Sequence, residues 1–268
     1  MGLRVTNCIE GHKHKTDWVM PPIEPMDALP ECFSGSSPAW KIRNQGGSPY
    51  CVGFAVSTVF EDTDQCRGKE LSPVWIYDHA FPYDICGGTV GASISGACEA
   101  LRKIGAVTTK GLTKLGEYNL NLSRFKILSY YRIDYNRIDE LKTLVMQGKV
   151  LCSFESDPWL RWLSSVGLES AVRRDVRGHA ISLVGFRECD GILYWEFENS
   201  WGRDWGVDGR CFIPHKEVLK MAKNRPAYIL ITNTDYMQEL KRRYKNMSHI
   251  SKGLFKLSNW WKTLRGRL

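Results

Sequence analysis

Four side chains in this sequence could together perform nucleophilic catalysis: Cys51, His179, Asn199 and Gln45. A thiol at its free pKa of about 8.5 is only slightly ionised at neutral pH. Cys51 opens an apolar run, Val52-Gly53-Phe54-Ala55-Val56, that reads as the head of a buried helix. A helix N-terminus carries partial positive charge and a nearby imidazolium adds more, so a thiol there is drawn toward thiolate. His179, 128 residues further on, can stabilise that thiolate and then give a proton to a leaving amine. Asn199 can hold the imidazole in orientation through its amide. Gln45, six residues before Cys51, can aim an amide at an oxyanion formed beside the Cys51 backbone N–H. Taken singly, each has a plainer explanation: a small buried thiol, a structural histidine, a turn asparagine. It is their joint occurrence, in this order and with these neighbours, that argues for catalysis.

The elements that must position them change character along the chain. The first half reads as helical. One helix runs from Cys51 to a stop near Gln65-Cys66-Arg67-Gly68, and a second starts at Ser72-Pro73 with Ser as cap and Pro at its first position. A third spans Ser93 to Ile104 and is stopped by Gly105. The second half reads as strands: Val150 to Phe154, His179 to Phe186, Ile192 to Glu198, Arg210 to Ile213 and Ala227 to Thr232. A helical half followed by a strand-rich half predicts an α+β chain of two packed lobes. Residues 1–38, rich in Pro, His and Lys, read as an arm that wraps a domain.

At 268 residues, 43% hydrophobic and 25% charged, the chain has ordinary globular composition and length for a sizeable core. The net charge of +8 is local: residues 236–268 hold nine Lys/Arg and one Glu, and the rest of the chain balances at 28 of each sign. The basic excess therefore describes the tail and not the main body. Nine cysteines with no C-x-x-C spacing argue against a zinc ribbon or a thioredoxin-like motif. No metal and no cofactor are expected. The first 20 residues show no apolar signal region, and no run approaches the ~20 apolar residues of a membrane span. Mostly free thiols in a cytoplasmic or other reducing intracellular compartment are the expectation. Met1-Gly2-Leu3-Arg4-Val5-Thr6 fits a loose myristoylation pattern, which is read as a chance match.

The neighbours of the four residues carry a family resemblance. Asn44-Gln45-Gly46, then Cys51 and Phe54-Ala55, resembles the start of the papain/cathepsin catalytic domain. His179-Ala180 with Val184-Gly185-Phe186 resembles its histidine strand. Asn199-Ser200-Trp201-Gly202, Trp205-Gly206 and Gly209 match the family pattern almost without gaps, and form the most specific signal in the chain. The resemblance covers about residues 27–235 and lies closest to signal-free, disulfide-poor microbial or viral members. It implies a papain-like two-lobe α+β fold: a helical N-terminal lobe (about 45–120), an antiparallel β-barrel-like C-terminal lobe (about 121–235), and the active-site cleft between them. The whole catalytic domain would span 39–235. Cys51 would be the nucleophile, His179 the acid/base, Asn199 its orienting partner and Gln45 part of the oxyanion hole. Trp201 would shield the His–Asn hydrogen bond, since a dry hydrogen bond is electrostatically stronger. Gly87 and Gly88 would pair with an extended substrate backbone. Val90 and Ala180, with Phe154 as a looser match, would line an apolar pocket for the second residue before the cut.

The chain departs from the family at its nucleophile. Gly47-Ser48-Pro49-Tyr50 precede Cys51 where the family has Cys-Gly-Ser, and Val52 follows where it has Trp. The position of a usual disulfide cysteine is Ser48, which leaves Cys86 without that mate. Only 50 residues precede Cys51, fewer than the family's long inhibitory pro-segment needs. Beyond the family's usual end, Ile250, Leu254, Leu257, Trp261, Leu264 and Leu268 recur at helical spacing, with lysines and arginines mostly off that stripe. Such a basic amphipathic helix suits an anionic membrane surface or a protein partner, and nucleic acid less well. The leading reading is a cysteine endopeptidase acting on peptide or protein substrates through a thioester. The alternatives are an acyltransferase or amidase with the same triad, and an inactive papain-fold scaffold localised by its tail.

Overall fold

The structure, a computed structural model, describes residues 8, 18–23, 25–26, 28–37, 41–84, 91–111, 124–167, 178–223 and 225–233. Helix α1 (Cys51–Glu61) starts at the expected residue and stops sooner than the sequence suggests. After Glu61 the Asp62 and Thr63 amides turn back to the carbonyls of Val59 and Phe60, at 3.3 and 3.2 Å, and close the helix early. Helix α2 (Pro73–Ala80) is capped by the Ser72 hydroxyl, which accepts from the Trp75 N–H at 3.2 Å. Helix α3 (Ile94–Lys103) is capped by Ser93 in the same way, and Gly105 follows at φ 90°, a backbone conformation glycine adopts without strain. Gly53 lets α1 and α2 touch, because a Cβ there would stand 2.1 Å from the Pro73 carbonyl oxygen.

The second half builds a sheet and three more helices: β3 (Ser129–Ile133), α4 (Ile138–Gln147), β4 (Val150–Glu155), α5 (Ser156–Ser165), β5 (Gly178–Cys189), β6 (Ile192–Glu198), β7 (Arg210–Pro214), α6 (His215–Ala222) and β8 (Ala227–Ile231). Two strands come from the N-terminal residues: β1 (Trp18–Val19) and β2 (Cys32–Ser34). The order is β1-β3-β8-β4-β5-β6-β7, with β2 added to β5. Every pair is antiparallel except β1 with β3. One apolar core lies among α4, α5, α6 and the sheet. A second gathers α1, α2 and α3 over Leu151, Ala180 and Tyr228. Helix α1 packs on β5, and the Ser182 hydroxyl donates to the Ala55 carbonyl at 3.4 Å. One helical turn back from that contact is Cys51, and three residues back along the strand is His179. The helix that begins at Cys51 and the strand that carries His179 thus pack on one another.

Candidate active site

His179 is the second residue of β5 and is fully buried. Its Nε2 lies 2.8 Å from Asn199 Oδ1. The Ser200 backbone N–H also donates to that oxygen, at 2.8 Å, which identifies it as the carbonyl end of the amide. A carbonyl oxygen only accepts, so Nε2 carries the proton. Nδ1 then holds the lone pair of a neutral ring, and it has no hydrogen-bond partner among the described residues. Burial pushes the His179 pKa down to about 4, against the upward pull of the Asn199 bond. Burial thus favours the neutral ring, with Nδ1 as its basic nitrogen.

Indoles enclose this bond. Trp201, 1% exposed, has its ring 4.8 Å from the His179 ring, centre to centre. It covers the back of the imidazole and forms no exposed wall of a cleft. Trp159 of α5 stacks on His179 at 5.7 Å, and Trp205 packs edge-on to Trp201 at 5.5 Å. No spacing in the sequence linked Trp159 to His179; only the fold brings them together. Ala180 is buried in the core of the helical lobe. Phe154 turns the other way, its ring 5.5 Å from Trp159 and 5.2 Å from Phe197. Its ring lies in the sheet core, so this loosely matched position is not pocket lining.

Cys51 is the first residue of α1 and fully buried. Tyr50 precedes it at the cap position without a side-chain cap bond, so the positive end of the helix dipole is directed at the thiol. Gln45 is held from both ends of its amide. Its Nε2 donates to the Ser48 carbonyl at 2.9 Å, and its Oε1 accepts from the Ser200 hydroxyl at 2.6 Å. Its backbone N–H donates to Ser200 O at 2.8 Å, and Asn44 bridges to Trp201 beside it. Ser48, part of the unusual stretch before Cys51, returns its own N–H and hydroxyl to Gln45 O at 3.1 and 2.7 Å. This departure from the family pattern is thus what fixes Gln45. Arg43 anchors the loop to α1 through Glu61 at 2.5 Å and Ser57 at 2.8 Å.

Beside Asn199 lies a buried ion pair that sequence reasoning passed over. Lys149 Nζ sits 3.2 Å from Glu198 Oε2, with both side chains almost fully buried. Ser37 joins it, its N–H donating to Glu198 at 2.7 Å and its hydroxyl 2.5 Å from Lys149 Nζ. Among the described residues no group of three His, Cys, Asp or Glu side chains is placed to hold a metal ion. Gly87, Gly88, Val90 and the tail from 236 to 268 lie outside the described residues.

The model of the papain family cysteine proteases matches residues 40–225, more than half of the chain. The chain belongs to the papain family. A cysteine protease of Blomia tropicalis is 26% identical to this papain-family chain over 214 residues, covering 72% of it and 63% of the relative. Cysteine proteinase 2 of Zea mays is 30% identical over 185 residues, covering 63% and 50%. The chain thus spans between half and just under two thirds of the length of these relatives. Among solved structures, xylellain, a cysteine protease from Xylella fastidiosa, superposes with a TM-score of 0.63 at 19% identity, over 85% of this chain and 96% of that one. The architecture is accordingly the papain-like α+β fold, with helices in the N-terminal part and the sheet in the C-terminal part.

Proposed function

We propose that the chain hydrolyses peptide bonds through a thioester on Cys51. The observation that carries the reading is the buried Nε2–Asn199 bond at 2.8 Å, because it fixes which nitrogen of His179 is basic. His179 Nδ1 takes the thiol proton as sulfur attacks the carbonyl carbon, and the carbonyl π electrons move to oxygen. The oxyanion is met by the Cys51 N–H and by the second amide hydrogen of Gln45, whose first is spent on Ser48. His179 then gives the proton to the leaving amine, and the C–N bond breaks. Water, deprotonated by the same nitrogen, releases the acid and restores the thiol. Asn199 acts through His179 by holding its ring, and Trp201 with Trp159 keeps water from that hold.

The catalytic unit in this reading is residues 39–235. Residues 236–268 would tether it to an anionic membrane surface or a protein partner, in a reducing intracellular compartment. No described helix is long and apolar enough to cross a membrane. Treatment with an epoxysuccinyl or iodoacetamide probe, followed by mass spectrometry, tests the chemistry. Fast labelling of Cys51 alone, lost on His179→Ala, is expected; equally slow labelling of many cysteines would sink the enzyme reading. Peptide hydrolysis without amine incorporation separates a protease from an acyltransferase. Deleting 236–268 is expected to keep hydrolysis and lower binding to anionic vesicles, and intact protein that ignores such vesicles refutes the membrane tether.

A further inference from the structure

We infer that the buried Lys149–Glu198 pair, together with Ser37, is a positioning device for the reaction: it sets the direction of Asn199 and, through Asn199, that of the His179 ring. The inference rests on the peptidase reading above, in which Asn199 acts only by holding that ring. Asn199 follows the last residue of β6, where the ladders to β5 and β7 end at Glu198. Its side chain is held through one atom. Oδ1 accepts from the Ser200 N–H and from His179 Nε2, each at 2.8 Å, whereas Nδ2 has no hydrogen-bond partner among the described residues. Where Oδ1 points therefore depends on the backbone that carries it. That backbone is held by the Asn199 N–H, bonded to the Gly209 carbonyl at 2.9 Å, and by the side chain of Glu198 just before it.

Glu198 reaches out of its own strand to two other segments. Its Oε2 accepts from the Ser37 N–H at 2.7 Å and lies 3.2 Å from Lys149 Nζ. Lys149 Nζ also donates to Ser37 Oγ at 2.5 Å, so the three residues close a ring of charge-assisted bonds. Lys149 stands directly before β4, and its backbone N–H donates at 3.3 Å to Asp62 Oδ2, at the C-cap of α1. The helix that begins at Cys51 is thus tied at its far end to the strand end that delivers Asn199.

Stability alone does not call for charges in this place. Two ions lose their hydration on burial, and apolar residues of similar volume often serve stability as well or better. What the pair adds is direction. A carboxylate held by a cation and an N–H has a fixed orientation, whereas two flexible methionines would fill the space without specifying one. A displacement of about 1 Å, caused far from the chemistry, can slow a reaction about 100-fold. A hold on Asn199 therefore has a kinetic value that its contribution to stability does not show.

The test uses the full chain with Lys149→Met and Glu198→Met together, which leaves no stranded charge. On a fluorogenic peptide kcat should fall by about 10- to 100-fold while KM changes by less than about twofold, because the pair acts through Asn199 and His179 and not on substrate binding. NMR of histidine-labelled protein gives a readout without substrate. The His179 Nε2–H resonance, assigned by its absence in His179→Gln, should be sharp in wild type and broadened by exchange with water in the double variant. Ser37→Ala removes only the hydroxyl of the ring and should lower kcat by about 2- to 10-fold; it takes the place of the double variant if that one does not fold. Unchanged kcat or an unchanged Nε2–H resonance in the folded variant overturns the assignment and leaves the peptidase reading intact. A wild type that cleaves no peptide overturns the peptidase reading, and the resonance still decides the positioning.

Discussion

Removing the titration of His179 should change how stability depends on pH. In the unfolded chain an imidazole titrates near 6.5, whereas burial holds the native ring unprotonated down to about 4. Between those values the unfolded state binds more protons, so native stability is full above about 6.5 and is lost as pH falls toward 4. The gap of about 2.5 pKa units corresponds to roughly 3 kcal/mol at 1.36 kcal/mol per unit. The ring is fully buried, so solvent screening does not discount this figure. In His179→Gln, a variant of similar size that cannot titrate, that contribution is absent. Urea unfolding of both proteins at several pH values from 4 to 7 measures it, because carboxylates common to both cancel in the difference. Wild type should lose about 3 kcal/mol more than the variant across the window. If the two curves run parallel, the native histidine is not held neutral, and the assignment of Nδ1 as the resting base falls with it.

Three further outcomes follow from the packing. Lys149→Met should cost about 3–5 kcal/mol in urea unfolding, because it strands the buried Glu198 carboxylate. Lys149→Met with Glu198→Met should recover most of that loss, and a double variant no better than the single would show that the pair is not the cause. Gly53→Ala should destabilise by about 1–3 kcal/mol, since its methyl meets the Pro73 carbonyl at 2.1 Å; an unchanged thermal midpoint would contradict the close α1–α2 contact. Deleting residues 1–10 removes the Cys8 bonds to Gly178 and Ala92, so Cys51 should be alkylated faster than in the full chain; equal rates would mean that Cys8 does not obstruct the thiol.

Much of the helical lobe was legible because its signals are local. Ser72-Pro73 and Ser93 declare helix starts through side chains that bond within three residues, and Gly105 declares a stop. The strands from β4 to β8 announced themselves as β-branched and aromatic runs. Helix α5 did not, because it follows β4 without a break and so merges with its apolar run. Helix α4 carries Ile138, Leu141, Leu144 and Val145 at helical spacing, which the strand-rich reading of that half overlooked. The strands β1 and β2 have two and three residues, too few for an alternation to register. Of the site, the residue types and order were readable, along with the Asn199 block. Trp159 and Lys149 were not, since each meets its partner across a sequence gap that only the sheet closes.

The sheet's pairing also sets a timetable. Trp18 pairs with Tyr131 and Phe33 with Phe186, so the first strands made are among the last to find partners. Contacts of such large sequence separation form slowly, because the loops they close must be ordered first. Cys51 in turn waits for His179, and His179 for Asn199. A chain emerging from synthesis therefore presents Cys51 128 residues before His179 and 148 before Asn199. On the proposed mechanism, the thiol meets its base only once strand β5 is in place against helix α1.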